Sequence, residues 1–319
     1  MPLPRRTGLR TVLFSLWRSV VPSAFFAVLA ALSGCSRSQP PKPTTVVVSD
    51  AALPAALAPA EEGRFVFGER LTGSIKRVML DDPGQSSLVA TVDTDGQQTD
   101  DRGLLGLAVD ESGRVFASYT RRADHRLVVA QVGPEGTRIV WQGPETPERE
   151  LGGHLIYLDG RLYVAVGGFG DPDRIADPDA PNGKVLQLVP DGPATQRPQV
   201  VSSGWSDPTF TLGPDRRFWI ADRVANSDRG DRLALVVPGG EPIVTELGPI
   251  RASALVTLGS DRLGVCSSSR AKLVSVELRA GRAVRLGPPV AEGCSLGAAR
   301  LPDGRVLIST DQEIQVFTP

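Results

Sequence analysis

Histidine and cysteine are scarce in this sequence, with two of the first and three of the second among 319 residues. One cysteine, Cys35, ends an N-terminal apolar segment, so two thiols and two imidazoles remain, a poor supply for a zinc site. Positive charge is not in excess. The net charge is −1, and the first 34 residues hold four arginines and no acid, so the rest of the chain stands near −5, with no basic patch of the kind nucleic acid requires. Long hydrophobic runs are missing too: the longest at the N-terminus, Val20 to Leu32, has 13 residues, short for a bilayer span. Beyond the N-terminus no segment sustains the 3.6-residue period of an amphipathic helix, which argues against a helical bundle or solenoid.

What is abundant is short valine-rich runs bounded by Gly, Pro, Asp and Ser, the pattern of strands and tight turns. One unit recurs. In residues 149–171, Asp159-Gly160 reads as a turn, Arg161 to Val166 as a buried strand, and a glycine-rich loop follows to Asp171. The same turn-Arg-strand shape returns with arginines at 64, 114, 161, 217, 262 and 305, spaced by 50, 47, 56, 45 and 43 residues. A period of about 40 to 50 residues suits a four-stranded propeller blade. The sequence therefore predicts an all-β fold, a six-bladed β-propeller of four-stranded antiparallel blades.

Residues 1–34 read as an export signal, with Arg5, Arg6, Arg10 and Arg18 before the apolar run. The run ends in Leu32-Ser33-Gly34-Cys35, which resembles a bacterial lipobox with Cys35 as the lipidated residue. Ser36 after it favours the outer membrane of a Gram-negative cell. Residues 35–60, rich in Pro, Ala and Ser, read as a tether, with a candidate strand at Thr44 to Val48 that would pair with Gln312 to Thr318 to close the ring. Residues 61–319 form the propeller. Cys266 and Cys294 lie in consecutive repeats, as one disulfide or as two separate buried thiols.

Several motifs resemble, in order, those of the soluble quinoprotein glucose/sorbosone dehydrogenases. They are Phe65 to Val78 with its Glu69-Arg70 step, Arg102 to Val109 (R-G-L-L-G-L-A-V), the 149–171 stretch, and Gly183 to Leu188 followed by Pro190-Asp191-Gly192. The resemblance implies a six-bladed propeller that oxidises the anomeric hydroxyl of aldoses. A histidine takes the hydroxyl proton, pyrroloquinoline quinone (PQQ) accepts hydride and calcium polarises the quinone. PQQ carries three carboxylates and calls for cations to receive them.

Carried over residue by residue, the family's functional positions are altered here. Its catalytic histidine falls on Glu150, its cofactor-binding arginine on Ser206 and its fifth-blade lysine on Ser269, beside Arg270. Two further arginines fall on Cys294 and Leu296, and the pair giving carbonyls to calcium falls on Val224-Ala225. Losing four cation contacts would cost several kcal/mol, at ~1.5–3 for each charged hydrogen bond. The substitutes are His154 or Glu150 as proton acceptor, Trp205 to stack on a ligand, and Arg149, Arg223, Arg270 and Lys272 as cations. Asp171 and Asp173 are the candidate calcium ligands, although the Asp171 to Asp179 loop reads more simply as a solvated connection. His125 reads as a solvated loop residue, Asp228 and Asp231 as turn braces, and Trp219 as core. The balance favours a propeller that binds a sugar, polymer or envelope protein at the membrane surface; the alternative is an active PQQ- and calcium-dependent aldose dehydrogenase with a rearranged site. A lactonase-type ring of acids around calcium cannot be assembled from this spacing.

Overall fold

The computed structural model describes residues 40–319 apart from 62, 225–229 and 281. The expected signal segment, Cys35, Ala225 and Asp228 lie outside the described residues. The first strand, β1 (Thr45–Val48), belongs to the last blade. Blade one is β2 (Ala56–Pro59), β3 (Arg64–Gly68), β4 (Ser74–Met79) and β5 (Asp82–Thr91). Blade two is β6 (Leu104–Val109), β7 (Val115–Thr120), β8 (Arg126–Gly133) and β9 (Gly136–Glu145). Blade three is β10 (Gly152–Leu158), β11 (Arg161–Val166), β12 (Lys184–Leu188) and β13 (Gln199–Ser203), with helix α1 (Pro172–Ala176) between β11 and β12. Blade four is β14 (Pro208–Leu212), β15 (Phe218–Asp222), β16 (Asp231–Leu235) and β17 (Ile243–Gly248). Blade five is β18 (Ala252–Thr257), β19 (Arg262–Ser267), β20 (Lys272–Arg279) and β21 (Arg282–Glu292). Blade six is β22 (Ala298–Arg300), β23 (Val306–Ser309) and β24 (Ile314–Phe317), with β1 as its outermost strand.

All six sheets are antiparallel and four-stranded, so the fold is the expected six-bladed propeller. The ring closes where β1 pairs with β24, Thr45 opposite Val316 and Val46 opposite Gln315. The propeller begins earlier than residue 61, because Ala56–Pro59, inside the expected tether, is the innermost strand of blade one.

The recurring arginine has a physical cause. Each marker sits just after the turn between a blade's first and second strands, where an acid organises the turn. Asp303 Oδ1 accepts the Arg305 backbone N–H at 2.9 Å while Oδ2 takes its Nε at 2.7 Å. Asp215 does the same for Arg217, and Asp110 for Arg114. Arg64 pairs with Glu61 and Arg262 with Asp261. Arg161 is the exception, since Asp159 reaches Arg216 instead.

The apolar core is divided. Six layers lie in the seams between successive blades, because each strand buries both faces and sends alternate side chains to opposite neighbours. Along β11, Leu162, Val164 and Val166 pack on blade two, while Ala165 packs towards blade four. The seam between blades two and three is tight at Gly106, where a Cβ would lie 2.4 Å from the Gly153 carbonyl oxygen. The glycine of the second-blade motif is thus required by close approach of two inner strands. Cys266 and Cys294 form a disulfide that ties β19 to the loop entering blade six.

Candidate functional site

The six inner strands β2, β6, β10, β14, β18 and β22 surround an axial channel. At one end, where the loops before these strands converge, lies a cavity of about 180 Å³. Among the described residues lining it, the charged ones are Arg70, Asp101, Asp207 and Arg223. They form one network. Arg223 Nη2 lies 2.5 Å from Asp207 Oδ2 and 3.0 Å from Asp101 Oδ2, and Arg70 Nη1 stands 4.0 Å from Asp101 Oδ1. Asp207 Oδ1 also accepts the Gly152 backbone N–H at 3.1 Å. Asp207 and Asp101 raise the Arg223 pKa against the opposing effect of burial. The lining therefore carries two positive and two negative charges.

Beneath this network Asp222, fully buried, fixes the loop that carries Asp207. Its Oδ1 accepts the backbone N–H groups of Ser206 and Asp207, both at 2.8 Å, and its Oδ2 takes the Arg232 guanidinium at 2.9 and 2.7 Å. Asp231 braces the next blade by accepting the Ala252 N–H at 2.6 Å.

His154 lines the channel, as a functional role would require, although β10 is irregular between Gly152 and Leu155. Its ring meets Phe210 edge-on at 5.0 Å, and Nδ1 is buried without a partner. Burial lowers its pKa to about 4, so the imidazole is neutral at physiological pH. Two other buried polar atoms without a partner, Arg70 Nε and Thr209 Oγ1, belong to residues lining the same cavity. None of the three atoms has accessible surface of its own, so they stand unpaired inside the cavity wall, where a dry donor or acceptor is costly.

Other sequence expectations are redistributed. Trp205 does not offer a stacking face: it is buried between blades three and four, its indole N–H reaches Ser202 Oγ at 3.2 Å, and Arg232 covers its ring. Ser206 uses its backbone, holding Asp222 and Gly168, and lies outside the cavity lining. Glu150 also lies outside it, in a left-handed conformation with its carboxylate on the Gly170 N–H at 3.0 Å. Arg149 and Arg270 are exposed and Lys272 pairs with Glu292, so of the four expected cations only Arg223 lines the cavity. Asp171 is the N-cap of α1 and pairs with Arg174, so the expected solvated loop is partly helical. Among the described residues no group of three or more His, Cys, Asp or Glu side chains is placed to hold a metal ion. His125 lies in the β7–β8 loop with its side chain partly exposed, as expected, and its Nδ1 stands 2.8 Å from Asp95. Arg70, Asp101, Asp207 and Thr209 were missed as site residues, and only Arg70 had a sequence signal, the Glu69-Arg70 step.

The sequence profile of the glucose/sorbosone dehydrogenases matches residues 51–217, more than half of the chain. The chain belongs to that family. No curated protein sequence matches this chain significantly. Solved structures share its fold. A protein from Thermus thermophilus described as a glucose dehydrogenase aligns with 21% identity and a TM-score of 0.73, over 86% of this chain and 99% of its own. The PQQ-bound aldose sugar dehydrogenase of Streptomyces coelicolor gives 21% and 0.69, over 87% and 98%. The apo-form soluble aldose sugar dehydrogenase of Escherichia coli gives 15% and 0.69, over 87% and 99%. At these identities the match carries the fold.

Proposed function

We propose that this family member is a ligand-binding propeller that takes a small, uncharged, hydroxyl-rich molecule of the sugar class into its axial cavity. The observation that carries the reading is the cavity's lining: its two guanidiniums are already balanced by Asp101 and Asp207, and the other polar side chains around it include the neutral Thr209, Ser253, Ser268 and Ser295. Hydroxyl groups donate and accept, so they can bond to carboxylates, guanidiniums and hydroxyls together. A trianionic quinone cofactor fits this lining poorly, because the described residues offer it no net positive charge. The altered positions Glu150, Ser206 and Ser269 support the same conclusion.

Cys35 is the proposed site of lipid attachment, which would hold the propeller at the cell envelope, at the periplasmic face of the outer membrane in a Gram-negative cell. The short stretch between Cys35 and β1 then serves as the tether. A second reading, a PQQ- and calcium-dependent aldose dehydrogenase with a rearranged site, is favoured by His154. On that reading His154 is the proton acceptor, a role that its pKa of about 4 weakens at neutral pH.

Thermal unfolding decides between them. Glucose at one hundred times its dissociation constant should stabilise the protein by about 2.7 kcal/mol, a shift of several degrees, whereas PQQ with calcium should leave the transition unmoved. A shift with PQQ and calcium but none with glucose would overturn the binding reading and revive the dehydrogenase.

A further inference from the structure

The four charged groups of the axial cavity are balanced in charge but unequal in hydrogen bonding. Arg223 is satisfied, since its Nη2 donates to Asp101 Oδ2 at 3.0 Å and reaches Asp207 Oδ2 at 2.5 Å. Arg70 is not. Among the described residues its guanidinium has no hydrogen bond, and its closest approach to a carboxylate, Nη1 to Asp101 Oδ1, is 4.0 Å, beyond hydrogen-bond reach. Asp101 is lopsided in the same way. Its Oδ2 accepts from Arg223 Nη2 and from the Glu150 backbone N–H at 3.3 Å, while Oδ1 has no donor among the described residues.

Both groups are held where they stand. Arg70 follows β3, with its backbone N–H on the Leu53 carbonyl at 3.0 Å and its own carbonyl accepting the Leu104 N–H at 3.1 Å. Its stem packs on Gly103, where a Cβ would lie 2.5 Å from Arg70 Cγ, so a larger residue there would push the guanidinium out of line. Asp101 is pinned by its backbone N–H on the Glu148 carbonyl at 2.7 Å and by the two bonds at Oδ2. The Arg70 side chain is only 15% exposed and lines the cavity, so the cavity is where its free N–H groups can meet a partner. Burial lowers its pKa although Asp101 opposes the fall, the direction expected of a cation short of bonds.

A free donor facing a free acceptor across 4.0 Å is matched by one atom that both accepts and donates. A hydroxyl oxygen about 2.8 Å from each fits there, its two hydrogen bonds meeting near a right angle. An ether or carbonyl only accepts, an ammonium is repelled by the guanidinium, and a carboxylate is repelled by Asp101. We propose that Arg70 and Asp101 together read one hydroxyl of the ligand, which accepts from Arg70 Nη1 and donates to Asp101 Oδ1. The pair makes the cavity selective for a sugar carrying that hydroxyl over its deoxy counterpart. The proposal rests on the sugar-class reading and names the residues that set specificity within it. Both bonds are charge-assisted. A deoxy sugar puts a C–H at this point and leaves a guanidinium and a carboxylate oxygen unpaired, which is the source of the discrimination.

The test is calorimetric titration of the full-length protein in detergent-free lipid nanodiscs with glucose and the set of glucose derivatives that each lack one hydroxyl. The same set is run on Arg70→Met, which keeps an apolar stem and removes the donors, and on Arg70→Lys, which keeps the charge without the planar fork. Expected in the native protein is at least about tenfold weaker binding of one derivative than of glucose. In Arg70→Met that gap should close while the other derivatives keep their ranking. If Arg70→Met does not fold, Arg70→Lys carries the comparison, and there the gap should narrow. If glucose and every derivative bind alike in the native protein, the hydroxyl-reading pair is overturned and the sugar-class reading stands. A gap that both variants leave whole also overturns it, because the hydroxyl is then read elsewhere. If no member binds, both readings fall together.

Discussion

Arg223 and Asp207 are neighbours one step beyond the Pro208–Asp222 pair of β14 and β15, at the mouth of the axial cavity, with the Arg223 N–H donating to the Asp207 carbonyl at 3.2 Å and Nη2 2.5 Å from Oδ2. Arg223 follows the second strand of blade four, and Asp207 precedes the first strand of that blade. Asp101, from the loop entering blade two, completes the pair's charge balance.

Removing one partner should therefore be strongly destabilising. Asp207→Ala leaves the Arg223 guanidinium short of a counterion in a mostly buried place and frees the Gly152 N–H. The expected loss is about 3–5 kcal/mol in urea-induced unfolding. A loss below about 1 kcal/mol would put the pair in the class of solvated surface bridges, and the argument from a neutral cavity would lapse.

The pH dependence of stability should carry the mark of His154. Its pKa drops on folding from 6.5 to about 4, because burial disfavours the imidazolium. Between those values the unfolded chain binds more protons than the folded one, so stability falls as pH falls through this window and is complete above it. The contribution is at most about 3 kcal/mol. Comparing urea midpoints at neutral and acidic pH in the native protein and in His154→Asn measures it; an unchanged slope in the variant would show that the imidazole is solvated.

The Cys266–Cys294 disulfide closes a loop spanning 28 residues and anchors the wall that contains Ser295 to Gly297. Replacing both cysteines with alanine should cost about 3–4 kcal/mol by the chain-entropy relation. Both sulfurs are buried, so mild reductant should leave the native protein unchanged. Equal stability of the double variant and the native protein would sink this estimate.

Ring closure depends on β1. Val47 is buried among Leu307, Ile314 and Val316 of the last blade. Val47→Lys places an unpaired charge there and should destabilise the protein by about 3 kcal/mol or more. Hydrogen exchange should then show early loss of protection in β24, because its partner strand has gone. Retained protection would mean that blade six is stable with three strands.

The fold was legible because its cause is local. An acid that caps a turn and holds the arginine two to four residues on, as Asp110, Asp215 and Asp303 do, leaves the same trace in successive repeats, and six arginine markers count six blades. Glycines such as Gly106 were also visible as motif, although only the packing of β6 against β10 explains them.

The site was only partly legible. His154 could be picked out by its rarity and its strand, but the neighbouring assignments to Trp205, Ser206, Glu150 and Arg270 needed information that no local stretch contains. Trp205 near an expected cofactor position is as compatible with core as with a binding face; the seam between blades three and four and the covering Arg232 make it core. Arg70, Asp101, Asp207 and Arg223 come from positions up to 153 residues apart, and it is closure of the ring that turns their loops towards one axis. The sequence by itself determined the blades, because strand period and turn chemistry act over a few residues. Only the tertiary structure decided which side chains share the cavity, and with it the charge offered to a ligand, because those contacts exist only once six separate turns meet around the channel.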